Sequence, residues 1–187
     1  MRHKYQTRGI VVARLPFGEG HARLAIVTEE LGLVYARAAG VRVPKSKLAH
    51  ALTTFAESDL VLVEGVEGWR VAGAVLATNW FERLGTPDER ERAGRVAGLL
   101  LRLSPGEVRE AVSYTLLRDF FTALTEREPT LAEGAELVAA ENLIAAFGVG
   151  ELKDTRADFT PASLTEAVKE RMTRIARINR GIEASGL

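Results

Sequence analysis

Apolar and polar residues alternate through most of the first 80 positions, and the period then changes. Tyr5-Gln-Thr-Arg-Gly-Ile-Val-Val-Ala-Arg-Leu15 reads as a first strand, ended by the turn Gly18-Glu-Gly20. Arg23 to Thr28 is a second strand, and Leu33 to Ala38, between Gly32 and Gly40, a third. A helical turn or two is expected over Ser46 to Leu52. Phe55 to Val63 and Trp69 to Leu76 then form a hairpin, because their connection Glu64-Gly-Val-Glu-Gly68 carries two glycines.

Five short strands with one helical insert predict a small, partly open barrel of the OB-fold type. Gly9, Gly40 and Gly73 fall where closing such a barrel bends the chain. A five-stranded open sheet is the alternative.

From Thr86 the apolar spacing becomes helical. Thr86-Pro-Asp-Glu89 combines an N-cap, a proline at the first helical position and a Glu that completes a capping box; Ser104-Pro-Gly-Glu107 repeats it. The first helix presents Ala93, Val96, Ala97, Leu100 and Leu103, and the second Val108, Val112, Leu116, Phe120 and Leu124. A third is expected from Thr130, with Glu133 in the capping position and Leu137, Ala140, Ile144 and Phe147 leading to Gly148. Thr160-Pro161 opens a fourth, with Leu164, Val168, Met172, Ile175 and Ile182 on one stripe. The expected fold class is therefore α+β in two domains: a five-stranded OB-fold-like barrel over residues 1–80 and an all-α domain over 81–187, with Asn79 to Gly85 as the boundary.

Composition narrows the chemistry. Hydrophobic residues make up 47% of the chain and charged residues 27%, enough for a real core and against global disorder. No run reaches the roughly 18 apolar residues of a membrane span, and Met1-Arg-His-Lys-Tyr-Gln-Thr-Arg8 lacks the apolar core of a signal peptide, so a cytoplasmic protein without membrane contact is expected. The absence of cysteine removes thiolate nucleophiles and cysteine-based metal sites. His3, His21 and His50 are too far apart for a helical metal pair. Gly18-Glu-Gly20 lacks the third glycine of a dinucleotide fingerprint and precedes a strand, and Pro44-Lys-Ser46 lacks the glycines of a phosphate loop. Asp88, Glu89 and Glu91 suit the first turn of a helix, whose dipole favours acids. No catalytic constellation stands out, so an enzyme is not expected and neither metal nor cofactor is called for.

Charge is where the sequence departs from the ordinary. Net charge is zero, yet residues 1–80 carry ten Lys or Arg against seven acids, and Leu31 to Ala56 contains no acid at all. Arg37, Arg42, Lys45 and Lys47 lie in that window, concentrated in Gly40-Val-Arg-Val-Pro-Lys-Ser-Lys47. Surface cations are usually interspersed with anions, so this tract points to a polyanion, and its place beside strands points to nucleic acid. On a strand, Tyr35 and Arg37 share a face, offering an aromatic platform and a cation. Arg8 and Arg14 have the same parity along the first strand, and Arg23 can join them across the hairpin. Edge cations also block aggregation, which ranks these below the tract. Lys169, Arg171, Arg174, Arg177 and Arg180 form another basic series, but share their helix with Glu166 and Glu170, as salt-bridged surfaces do.

Tyr5-x-Thr-x-Gly-Ile-Val11, Gly18-Glu19, Thr28-x-Glu-x-Gly32, Gly40-Val-Arg-x-Pro-Lys-Ser-Lys-Leu48, Leu52 and Phe55 occur in an order and spacing that resembles the N-terminal barrel of the RecO family of bacterial recombination mediators. The resemblance covers the first 80 residues and is architectural in the helical half. It implies an OB-fold followed by helices, binding of single- and double-stranded DNA, strand annealing, and loading of recombinase with RecR onto DNA coated by single-strand binding protein. It also implies docking of that protein's acidic C-terminal tail on the helical domain, and a bacterial cytoplasmic, nucleoid-associated location. By motif, Arg42, Lys45 and Lys47 carry over as DNA-contacting residues. Many members carry a four-cysteine zinc module in the helical half; here Glu151-Leu-Lys-Asp154 follows Gly150 at that point, so no such module is expected. A protein-interaction adaptor without functional DNA contact is the alternative reading.

Overall fold

The computed structural model describes residues 3–41, 47–104, 112–148, 158–184 and 186. Contacts group the chain into two compact units, Met1–Arg83 with Gly106–Tyr114, and Leu84–Pro105 with Thr115–Leu187.

In the first unit the alternating pattern becomes a closed barrel. β1 (Lys4–Phe17), β2 (His21–Thr28) and β3 (Gly32–Ala38) form an antiparallel meander, and β4 (Ala56–Gly65) and β5 (Gly68–Asn79) a hairpin. β1 pairs with β4, and β3 runs parallel to β5, which closes the order β1-β2-β3-β5-β4. The open sheet is thereby replaced by a structure with no free edge. Leu24, Ile26, Val34, Ala36, Leu60, Leu62, Trp69 and Val71 fill the interior, joined by Leu52 just after α1 (Lys47–Ala51). Each buried Leu, Ile or Val among them is worth about 1.5–3 kcal/mol. Gly9 lies where the wall is tightest: a Cβ there would stand 2.9 Å from Ile26 Cγ2 and 3.0 Å from Leu60 Cδ1.

β1 is not regular. Val11 pairs with Ile26 and Ala13 with Ala25, so Val12 is an extra residue, a β-bulge. The bulge inverts the parity of everything after it. Phe55 is anchored at the same place, its N–H donating to the Val11 carbonyl at 2.7 Å and its own carbonyl accepting from the Trp80 N–H at 3.1 Å. These bonds and burial of the ring hold Phe55 at φ 64°, a left-handed conformation that costs an L-residue about 1–2 kcal/mol. Glu57 is buried on β4 and accepts from Trp80 Nε1 at 2.6 Å and from Tyr114 Oη at 2.8 Å. Two neutral donors thus satisfy a carboxylate that would otherwise be costly to bury.

The second unit is helical. α2 (Trp80–Arg83) closes the first unit, and α3 (Pro87–Leu103) begins at the Thr86 cap, where the capping box forms in both directions, Thr86 Oγ1 accepting from the Glu89 N–H and Glu89 from the Thr86 N–H. Ala93, Val96, Ala97, Leu100 and Leu103 are all buried. The second capping box begins at Ser104, the C-cap residue of α3; its remaining positions lie outside the described residues. α4 (Val112–Glu126), whose first turn to Tyr114 belongs to the first unit, buries Leu116, Phe120 and Leu124, while the expected Val108 lies outside the described residues.

The third helix differs from expectation. A short 3₁₀ turn (Pro129–Leu131) leads into α5 (Ala132–Ala146), whose N-cap is Leu131 with no side-chain cap bond. Glu133 accepts instead from Arg171 Nε, so it ties two helices together and does not cap its own. α5 is buried on nearly all sides and is the axis on which α3, α6 (Pro161–Lys169) and α7 (Arg171–Ala184) pack. Gly134 permits the closest approach, since a Cβ there would stand 2.3 Å from the Leu164 carbonyl oxygen.

The expected fourth helix is two. α6 stops at Glu170 (φ −91°, ψ 13°), α7 starts at Arg171, and the apolar stripe does not continue through the break: Met172 is 73% exposed, whereas Arg174, Ile178 and Gly181 are buried. Arg174 reaches the buried Glu141 of α5 at 2.5 Å and Glu170 at 3.2 Å, and Arg177 also reaches Glu141 at 3.2 Å. Of the basic series, Arg171, Arg174 and Arg177 thus serve the helix packing.

Candidate nucleic-acid interface

Arg42 and Lys45 of the basic tract lie outside the described residues, and of Lys47 only the backbone, at the start of α1, is described. The remaining candidates sit on the barrel wall. Arg8 and Arg14 do not share a face, because the Val12 bulge lies between them. Arg8 points outward and is paired through two bonds with Asp59, at 2.8 and 3.1 Å. Hydrogen bonding by this guanidinium, reinforced by its charge, holds the Asp59 carboxyl below the ordinary carboxylate range. Arg14 is opposed to the core residue Leu24 and therefore lies on the inner side, where its Nη2 donates to the Val41 carbonyl at 3.0 Å.

A different set comes together on the outside. Arg23 is directly opposed to Arg37 across β2 and β3, and Arg37 to Arg70 across β3 and β5. Their neighbours Leu24, Ala36 and Trp69 point into the core, so by alternation the three guanidinia point out. The row continues through Val63 of β4 to the exposed Lys4 of β1. Like charges placed opposite one another on a sheet lower stability. Only Arg37 has an ion-pair partner among the described residues of the row, Glu67 at 2.6 Å in the β4–β5 turn. Arg23 lies over the ring of Tyr35, 5.9 Å from its centroid.

The inverted parity after the bulge brings two apolar side chains to this face. Leu15 is opposed to Arg23 and Phe17 to His21, and they are 62% and 47% exposed. The Arg37 guanidinium stands 5.4 Å from the Phe17 ring centroid. The face therefore comprises β2 and β3, with Phe17 at the β1–β2 turn and Glu67 at the β4–β5 turn. This is the region of an OB-fold that receives oligonucleotides.

Residues 1–76 match the family model described as "Recombination protein O N terminal". Over its barrel the chain is similar to the RecO family. The "DNA repair protein RecO" of Acaryochloris marina is 46% identical over 65 residues, 35% of this chain and 22% of that protein. The protein of the same name from Dehalococcoides mccartyi is 30% identical over 115 residues, 62% of this chain and 46% of that protein. The matched stretches thus span less than half the length of these curated RecO relatives.

Sequence reasoning had singled out Tyr35, Arg37 and Arg23 but passed over Arg70, Phe17 and Leu15. Arg70 was readable from the alternation Trp69-Arg70-Val71; Phe17 and Leu15 depend on the bulge. Among the described residues no cluster of three or more His, Asp or Glu could hold a metal ion, and no helix is long and apolar enough to cross a membrane.

Proposed function

We propose that this chain is a RecO-type, non-enzymatic mediator of DNA repair and recombination whose barrel binds DNA. The observation that carries the reading is the row Arg23, Arg37 and Arg70 beside Tyr35 on the oligonucleotide-receiving side of an OB-fold barrel. Arginines contact phosphates and aromatic rings take bases, a combination that suits single strands. The basic tract Arg42, Lys45 and Lys47, which follows β3 in the sequence, adds phosphate contacts. Annealing follows when phosphate repulsion between two strands is neutralised while base edges stay free to pair. RecR and the acidic tail of single-strand binding protein are the partners that the likeness to RecO suggests, the tail on the helical unit. No bond is made or broken.

Fluorescence anisotropy with a labelled oligonucleotide tests the reading. The triple variant Arg23→Ala/Arg37→Ala/Arg70→Ala is expected to bind more weakly and to flatten the log-affinity against log-salt slope by about 2, at roughly 0.7 per phosphate contact. The triple variant Arg42→Ala/Lys45→Ala/Lys47→Ala is expected to do the same. The exposed Leu15 and Phe17 favour a second reading, in which the face docks a protein. In that case neither triple variant changes DNA affinity.

A further inference from the structure

We propose that Phe17 is a stacking platform for an unpaired base, which makes this face selective for single strands over duplex. The inference rests on the DNA-binding reading above and gives its substrate class. The Val12 bulge is its first support. Without the extra residue, Phe17 would share the parity of Gly9 and Val11 and point into the barrel; with it, the ring is opposed to His21 on the outside and stays 47% exposed. Bulges are devices for re-aiming side chains next to sites, and here the side chains re-aimed outward are apolar.

The surroundings say what the ring would take. An exposed aromatic edged by cations suits a base attached to a phosphate backbone: Arg37 stands over Phe17 at 5.4 Å, and Arg23 over Tyr35 at 5.9 Å on the same face. A duplex keeps its base faces stacked inside and can offer the site only phosphates. The arginine row therefore serves both kinds of DNA, and Phe17 serves single strands alone. Glu67 adds a restraint, because its carboxylate occupies the Arg37 guanidinium at 2.6 Å where a phosphate would otherwise sit. An arriving strand must displace it.

The test compares a labelled oligo(dT) strand with a blunt duplex at fixed salt, using the full chain. Phe17 is exposed at a strand end, so substitution is expected to leave the thermal midpoint in place, which circular dichroism checks. Phe17→Ala should weaken oligo(dT) binding roughly five- to a hundredfold, leave duplex binding within about twofold and leave the salt slope unchanged. Phe17→Trp should retain affinity, and oligo(dT) should quench its added emission; Phe17→Leu should not restore binding. Glu67→Gln should tighten binding of both DNAs. If the wild type binds oligo(dT) and Phe17→Ala binds it equally well, or loses both DNAs alike, the stacking site is overturned while the DNA-binding reading stands. Rescue by Phe17→Leu, or self-association of the chain that Phe17→Ala abolishes, also overturns it. A wild type that binds neither DNA overturns both.

Discussion

Replacing Glu141 by Ala tests whether the cations of α7 are structural. The Glu141 side chain is 4% exposed in the middle of α5, and that of its main partner Arg174 is 11% exposed, with 2.5 Å between Oε2 and Nη1. Removing one partner of such a buried pair strands the other charge and costs about 3–5 kcal/mol. Two features favour the lower end: Glu170 still meets Arg174 at 3.2 Å, and Arg177, 38% exposed, can turn to water. The expected loss is about 3 kcal/mol, a fall in the urea midpoint of about 1.5 M for a slope near 2 kcal/mol per M. Arg177→Ala should cost less than about 1 kcal/mol, as exposed pairs do. The double variant Glu141→Leu/Arg174→Met should recover most of the loss, because well-packed apolar residues replace a buried pair at little cost. Far-UV circular dichroism in a urea series measures all three. An Ala variant at Glu141 that loses less than about 1 kcal/mol, or an Arg177→Ala variant that loses as much, refutes the reasoning.

Further outcomes follow from other contacts. Tyr114→Phe removes one donor from the buried Glu57 and should lower stability by about 1.5–3 kcal/mol in the same denaturation assay, since the bond is to a charged acceptor. Gly134→Ala should destabilise by about 1–3 kcal/mol or more, because the new methyl meets the backbone of Leu164 at 2.3 Å and cannot be accommodated without moving a helix. Arg8→Ala should let Asp59 titrate at an ordinary carboxylate value, read by carboxyl carbon NMR. Because Asp59 is depressed in the folded state, the Arg8 contact contributes above the unfolded-state value and is lost as pH falls through the folded one. Both side chains are exposed, so its worth is under about 1 kcal/mol.

Much of the barrel was legible because a half-buried strand writes its face into every second residue. The exception is instructive. Ile10-Val11-Val12 is a run of three buried apolar residues, and period two cannot say which of them is extra. One unpaired Val12 moved Arg14 inward and Leu15 and Phe17 outward, which changed the membership of the candidate site. In the helical half, caps with proline were decisive at Thr86 and Thr160, where Thr Oγ1 accepts from Glu89 and Ser163 backbone N–H groups. The break at Glu170 was not legible, since apolar spacing runs through Val168, Met172 and Ile175 without a glycine or proline to mark it. The lone charge Glu141 within Leu137 to Ile144 was a signal of a buried ion pair, but its partners come from a helix some thirty residues away in sequence. The Arg23, Arg37 and Arg70 row was hidden for a similar reason: each is an ordinary surface arginine until cross-strand register aligns them.

The central claim, that this barrel is a phosphate-binding surface, is tested most directly by the salt dependence of oligonucleotide binding. With Arg23, Arg37 and Arg70 joined by Arg42, Lys45 and Lys47, six contacts at roughly 0.7 each predict a log–log slope near −4. Fluorescence anisotropy from low to physiological salt gives it. A slope near −4 that flattens to about −2 in the Arg23→Ala/Arg37→Ala/Arg70→Ala variant is the predicted result; binding that is indifferent to salt, or unaltered in that variant, contradicts the account.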